Sequence, residues 1–174
     1  PPDYSSAASD VYKRQALLYD QNKFSVLVSK AIENKLGGDE KTRDILYVKG
    51  SFLDVTLHIF VNHWPSNYGG KERAIPKRKL TAELLMNQIK TIQKNDKFAE
   101  IILIGDFNED PNDDNVRMLE KLGFINQMLP MMGESGMGTY VYRGKDYFYD
   151  QIIISEGLNT CLLYTSPSPR DLLK

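Results

Sequence analysis

The run Ile101-Ile102-Leu103-Ile104 has no polar break, and it narrows the folds open to this chain more than any other segment. A strand with one face in water alternates apolar and polar residues, whereas an unbroken apolar run needs cover on both faces. The run therefore belongs in the interior of a sheet with further layers above and below it. Gly105-Asp106-Phe107-Asn108 follows at once, so the same strand ends by carrying a carboxylate and an amide out of the core. With 174 residues and 41% hydrophobic content, the chain is long enough to build such a core as one domain. Its 26% charged residues argue against a membrane span or a disordered chain.

The surrounding segments agree with a sheet protein that has helices outside. Ala16 to Tyr19 and Phe24 to Val28 read as strands around a turn at Asp20-Gln21-Asn22. A Gly37-Gly38 loop precedes Ile45 to Val48, and Gly50-Ser51 reads as a turn into the next strand. In that next strand Val55, Leu57, Ile59 and Val61 are all aliphatic, so they share a face with His63 next in line, while His58 points the other way and is expected at the surface. After Gly69-Gly70, Pro76 suits a first helical position, and Leu80, Leu84, Leu85, Ile89 and Ile92 recur at helical spacing. A short helix from about Asp114 to Leu122 should stop at Gly123, and Asp150 to Ser155 reads as a last strand after an aromatic stretch from Tyr140 to Tyr149.

Three strand ends carry groups able to do chemistry. Alternation puts Asp106 and Asn108 on one face, where a carboxylate can orient or deprotonate a water, or hold a metal-bound one, and an amide can bind a phosphoryl oxygen. The plainer alternative is an Asx-rich turn closing a strand. A calcium loop fails, because Pro111 stands where the sharp turn needs glycine and Arg117 where the bidentate glutamate belongs. His63 can act as a general acid, or as a charged hydrogen-bond donor to a phosphate, in Asn62-His63-Trp64-Pro65-Ser66, with Trp64 or Tyr68 shaping a pocket; the alternative is a histidine packed beneath a loop with Trp64 in the core. Asp150 could join a phosphate or metal site, or be an ordinary strand-edge aspartate.

Composition excludes other chemistries. Cys161 is the only cysteine, so no disulfide framework and no cysteine-based zinc site can form within one chain. A net charge of -1 gives no basic footprint of the kind non-specific nucleic-acid binders carry. No segment has the apolar length of a membrane span, and no signal-peptide pattern opens the chain. Residues 5–15 resemble the translation of a transposase sequencing adapter and residues 161–171 that of its partner's reverse complement. Residues 1–15 and 160–174 are accordingly expected to be non-native tails around a partial domain at 16–159.

Asn62 to Ser66, Gly105 to Asn108 and Asp150 to Ser155, taken in order and joined by Lys41-Thr42-Arg43-Asp44-Ile45-Leu46, resemble the endonuclease/exonuclease/phosphatase superfamily and its bacterial members. The resemblance spans residues 16–159. It implies an α/β fold: a fragment of the four-layer α/β/β/α sandwich of the deoxyribonuclease-I type, with mixed sheets and outer helices. It also implies a metal-dependent phosphodiester hydrolase acting on nucleic acid or another phosphodiester, without a membrane span and as a monomer. By motif, His63, Asp106, Asn108 and Asp150 would be catalytic, and Asn62, Trp64 and Ser66 would bind substrate. Asp106 and Asn108 would contribute to a Mg2+ or Mn2+ site.

The same resemblance places an asparagine and the principal metal-binding glutamate before residue 16, and a closing Asp-His pair after residue 159. The piece is on that account expected to be inactive by itself, with an exposed sheet edge and poor solubility. Asn67 stands where the family has arginine. Two alternatives accompany the phosphodiesterase reading: a phosphatase for a small molecule or lipid headgroup, and a non-catalytic binding domain of the same fold.

Overall fold

The computed structural model describes residues 4–8, 15–37, 40–134 and 136–159. Gly38, residues 9–14 of the first expected tail, and the whole of the second with Cys161, lie outside them. In chain order the elements are β1 (Tyr4–Ala8), β2 (Ala16–Asp20), β3 (Phe24–Ile32), β4 (Lys35–Gly37), β5 (Glu40–Lys41), β6 (Ile45–Phe52), β7 (Val55–His63), α1 (Lys71–Asn95), β8 (Glu100–Asp106), α2 (Asp114–Glu120), β9 (Phe124–Asn126), β10 (Tyr140–Tyr142), β11 (Lys145–Tyr147) and β12 (Asp150–Ser155). The expected mixed α/β architecture is what forms. Six strands make one sheet in the order β3-β6-β7-β8-β12-β9. All its neighbours are antiparallel except β7 and β8, whose parallel pairing needs a long crossover, and α1 supplies it.

The central strands are covered on both faces, as the apolar run requires. On one face α1 lays Ala82, Leu85 and Ile89 over Phe60, Ile101, Leu103 and Ile153. On the other, Leu57, Ile59 and Val61 gather Phe24, Leu46 and Val48, with Leu17 and Tyr19 of β2 packed against them. β2 itself pairs antiparallel with β1, which falls within residues 1–15.

Four expectations are corrected. Gly50 and Ser51 lie inside β6, not in a turn; a Cβ on Gly50 would sit 2.2 Å from the Phe24 ring, so glycine is there to let that ring pack. The turn is Leu53-Asp54, both at positive φ, the pair a type I′ hairpin requires. α1 starts at Lys71, so Pro76 is inside the helix rather than at its first position. The earlier start brings Ala74 and Arg78 into the buried stripe and leaves Leu80 outside, 42% exposed. His58 is buried, not superficial: its side of β7 lies beneath the helix layer, and its Nδ1 is hydrogen-bonded to the Tyr47 hydroxyl at 2.8 Å.

Candidate active site

β7 and β8 run parallel and β12 runs antiparallel to them, so the ends of the first two and the start of the third fall at one edge of the sheet. The register is explicit: His63 pairs with Asp106, and Asp106 pairs with Asp150. Cross-strand partners project to the same face of a sheet, so an imidazole and two carboxylates stand in one row. Such a position, beyond the carboxyl ends of parallel strands, is where open α/β sheets bind ligands.

Gly105 brings the strands together there. Its φ is +118°, and a Cβ would meet the Asn62 carbonyl oxygen at 2.2 Å. No other residue could hold β8 that close to β7 at this level. Backbone bonds then lock the loop beyond: Trp64 N–H donates to the Asp106 carbonyl at 2.8 Å, and Phe107 N–H donates to the Tyr149 carbonyl at 2.7 Å.

His63 Nε2 lies 2.6 Å from Arg43 Nη2 and 3.6 Å from Asp106 Oδ2. A guanidinium only donates, so in its contact with Arg43 the Nε2 atom is the acceptor. The Asp106 carboxyl is held above its usual pKa, chiefly by burial and also by Asp150. The backbone N–H of Asn108 and the charges of Arg43 and Arg78 pull the other way. Asn108 N–H donates to Asp106 Oδ1 at 2.8 Å, with Asn108 in the left-handed region at φ +51°. Asp106 and Asn108 thus come together through a tight turn rather than strand alternation. The Asn108 side-chain amide donates to the Trp64 carbonyl at 3.0 Å.

The expected substrate-binding residues separate. Ser66 lines a surface cleft. Asn62 and Trp64 are buried: Trp64 is fully covered against Phe107, and its Nε1–H donates to Asn62 Oδ1 at 3.1 Å. They form the floor of the loop, because a large aromatic ring here is worth more in the core than at the surface.

A second polar cluster escaped sequence reading. Arg78 and Glu109 form an ion pair, Nε to Oε1 at 2.7 Å, with side chains 0% and 3% exposed. Arg78 Nη1 also donates to the Pro65 carbonyl and to Asn67 Oδ1, and Asn115 Nδ2 donates to Glu109 Oε1. One side chain therefore ties the loop after β7 to the loop after β8. Burial raises the pKa of Glu109, while Arg78 and Asn115 oppose the rise. Asn67 spans the opening as well, its amide donating to the Tyr149 hydroxyl. The signal for Arg78 was present in the helical spacing of 74, 78, 82, 85 and 89, and the late helix start concealed it. Arg43 lay in a matched segment, but nothing local tied it to His63.

Among the described residues, no three His, Cys, Asp or Glu side chains come together as ligands for a metal. The row does hold two carboxylates side by side, and Asp150 disfavours ionisation of Asp106. That is the donor chemistry for a hard cation that takes one or two protein carboxylates and completes its shell with water and phosphate oxygens.

The endonuclease/exonuclease/phosphatase family profile matches residues 8–166. No curated protein sequence matches the chain. Among solved structures, truncated TDP2 from Caenorhabditis elegans aligns at 16% identity and a TM-score of 0.64 over 87% of this chain and 62% of its own. A mannosyl-6-phosphatase from Bacteroides thetaiotaomicron aligns at 19% identity and 0.62 over 88% of this chain and 62% of its own. The human Nocturnin catalytic domain, solved with bound sulfate, aligns at 16% and 0.57 over 81% and 52%. At such identities the likeness is one of fold. The chain spans at most about three-fifths of the length of these structures. No helix among the described residues is long and apolar enough to cross a membrane.

Proposed function

The chain belongs to the endonuclease/exonuclease/phosphatase family, and from that premise we propose that its parent protein is a Mg2+- or Mn2+-dependent phosphodiesterase working at the row of His63, Asp106 and Asp150. The observation that carries this reading is the register of three adjacent strands, which sets one imidazole between a guanidinium and two carboxylates at a single sheet edge.

Each residue has a task that fits its surroundings. Asp106, its Oδ1 held by the Asn108 N–H, takes the proton of the attacking water. His63 serves the leaving oxygen. When Arg43 turns from Nε2 to a phosphoryl oxygen, the imidazole takes a proton from solvent at Nε2 and passes it to the departing alkoxide, while the proton of the water stays on Asp106. Asn108 sits at the turn beyond Asp106; its amide gives one N–H to the Trp64 carbonyl, and the second would serve a phosphoryl oxygen. Asp150 and Asp106 would hold the metal, which when bound neutralises charge building on the phosphoryl oxygens.

A second reading, a phosphatase for a phosphorylated sugar or lipid headgroup, draws on the chain's net charge of -1 and on the named activity of the Bacteroides neighbour. The complete reading frame, assayed with Mg2+ or Mn2+ on plasmid DNA, bis-p-nitrophenyl phosphate and mannose 6-phosphate, separates the two. Turnover of the diesters supports the first reading, and turnover of the monoester alone supports the second. Turnover of none would leave a binding domain of the same fold.

A further inference from the structure

Next to Asp150 in β12 stands a glutamine that faces the other way. Alternation sends Gln151 to the face of the sheet that α1 covers, with Ile153, and it is 2% exposed there. Its hydrogen-bonding groups are all engaged. Nε2 donates to the Glu109 carbonyl at 2.6 Å and to the Phe148 carbonyl at 2.9 Å, and Oε1 accepts from Asn126 Nδ2 at 2.7 Å. Both amide hydrogens are thereby used. A buried amide satisfied in this way has one place to sit, because any shift strands a polar group out of water.

The three partners belong to three segments. Glu109 follows Asn108 in the loop beyond β8, Phe148 precedes β12, and Asn126 ends β9. The β8–β12 ladder stops at the Asp106–Asp150 pair, so past it the two chains are held only by what crosses between the loops. Phe107 N–H to the Tyr149 carbonyl and Phe148 N–H to Asp110 Oδ1 are two such bonds, and Gln151 supplies a third. Glu109 is gripped twice, at its carbonyl by Gln151 and at its carboxylate by Arg78. We infer that Gln151 is a positioning residue of the row: from the helix face it sets the spacing between the Asp106–Asn108 turn and Asp150. The consequence for catalysis rests on the phosphodiesterase reading, whereas the placement of the turn does not.

The test uses the complete reading frame. Gln151→Met keeps the length of the side chain and removes all three bonds. With Mg2+ present, kcat on bis-p-nitrophenyl phosphate should fall at least about tenfold while KM stays within about twofold, since a displaced reacting group costs rate. Amide hydrogen exchange should quicken at least about tenfold at Phe107 and Asn108 and stay within about twofold at Ile59 and Phe60 in β7. Asn126→Ala takes the donor from Oε1 but keeps both bonds from Nε2, so it should move kcat and the same two amides in the same direction by less. That variant decides the matter if Gln151→Met does not fold. Unchanged kcat in a folded variant, or exchange that quickens equally in β7, would reduce Gln151 to general support and overturn the inference. A wild type that turns over no diester would instead count against the phosphodiesterase reading, and exchange at Phe107 and Asn108 would still decide whether Gln151 places the turn.

Discussion

The row at the strand ends and the Arg78–Glu109 pair beneath the loops are built from similar groups, yet they are opposites in environment. The row is about a third exposed at His63 and Asp106, whereas the pair is sealed. A buried ion pair is worth little over an apolar substitute, but losing one partner leaves a charge stranded in the interior. In the open row, a lost partner is replaced by water. The sealed pair holds the loops in place, and the open row faces what arrives between them.

The largest effect should come from the sealed pair. Arg78→Ala should cost about 3–5 kcal/mol of stability in chemical denaturation, and Arg78→Met with Glu109→Leu should recover most of it. A cost near zero for the single change would dissolve the distinction between the two regions. Next is the row: in the complete reading frame, Asp106→Ala or His63→Ala should lower turnover by about a hundredfold or more, close to 2.7 kcal/mol in the barrier, with the denaturation midpoint nearly unmoved. Near-normal rates for either variant would remove that residue from the mechanism. Gly105→Ala should fall between the two in kind, destabilising by about 1–3 kcal/mol and lowering turnover together, because the added methyl pushes β8 off the Asn62 carbonyl.

The smallest effect concerns the other histidine of β7. His58 lies next to Tyr47, and its pKa is lowered from 6.5, first by burial and then by Lys49, with Asp96 opposing. The unfolded chain therefore binds the proton more readily than the native one. The contribution of His58 to stability is complete above about pH 6.5 and is lost as pH falls below that toward the depressed native value. Denaturation curves for the wild type and His58→Gln should diverge at neutral pH and converge as the solution is acidified through that range. A constant gap would show that His58 is not held neutral by its burial.

Much of this arrangement was legible in the residues. The unbroken aliphatic run placed β8 in the interior, alternation in β7 put Leu57, Ile59 and Val61 on one face with His63, and the helix expected to stop at Gly123 forms as α2, ending at Glu120. The errors share a cause. Gly50 read as a turn because its reason for being glycine, the Phe24 ring, comes from another strand. Pro76 read as a helix start because the true start, at Lys71 after Gly70, has no capping side chain to announce it. Trp64 stayed open between pocket wall and core, because nothing near it in sequence says that Phe107 will cover it.

The residues alone marked β2, β3, β6, β7, β8 and β12 as strands, showed that β8 needs cover on both faces, and named polar residues at strand ends, because periodicity and turn chemistry are local; the short strands β4, β5, β9, β10 and β11 carry too little pattern to be seen that way. Tertiary structure alone decided that His63, Asp106 and Asp150 share a row, that Arg43 reaches His63, and that Arg78 meets Glu109 out of water. Those facts depend on strand order and register, which come from how distant segments pack, and no single stretch of chain carries that information.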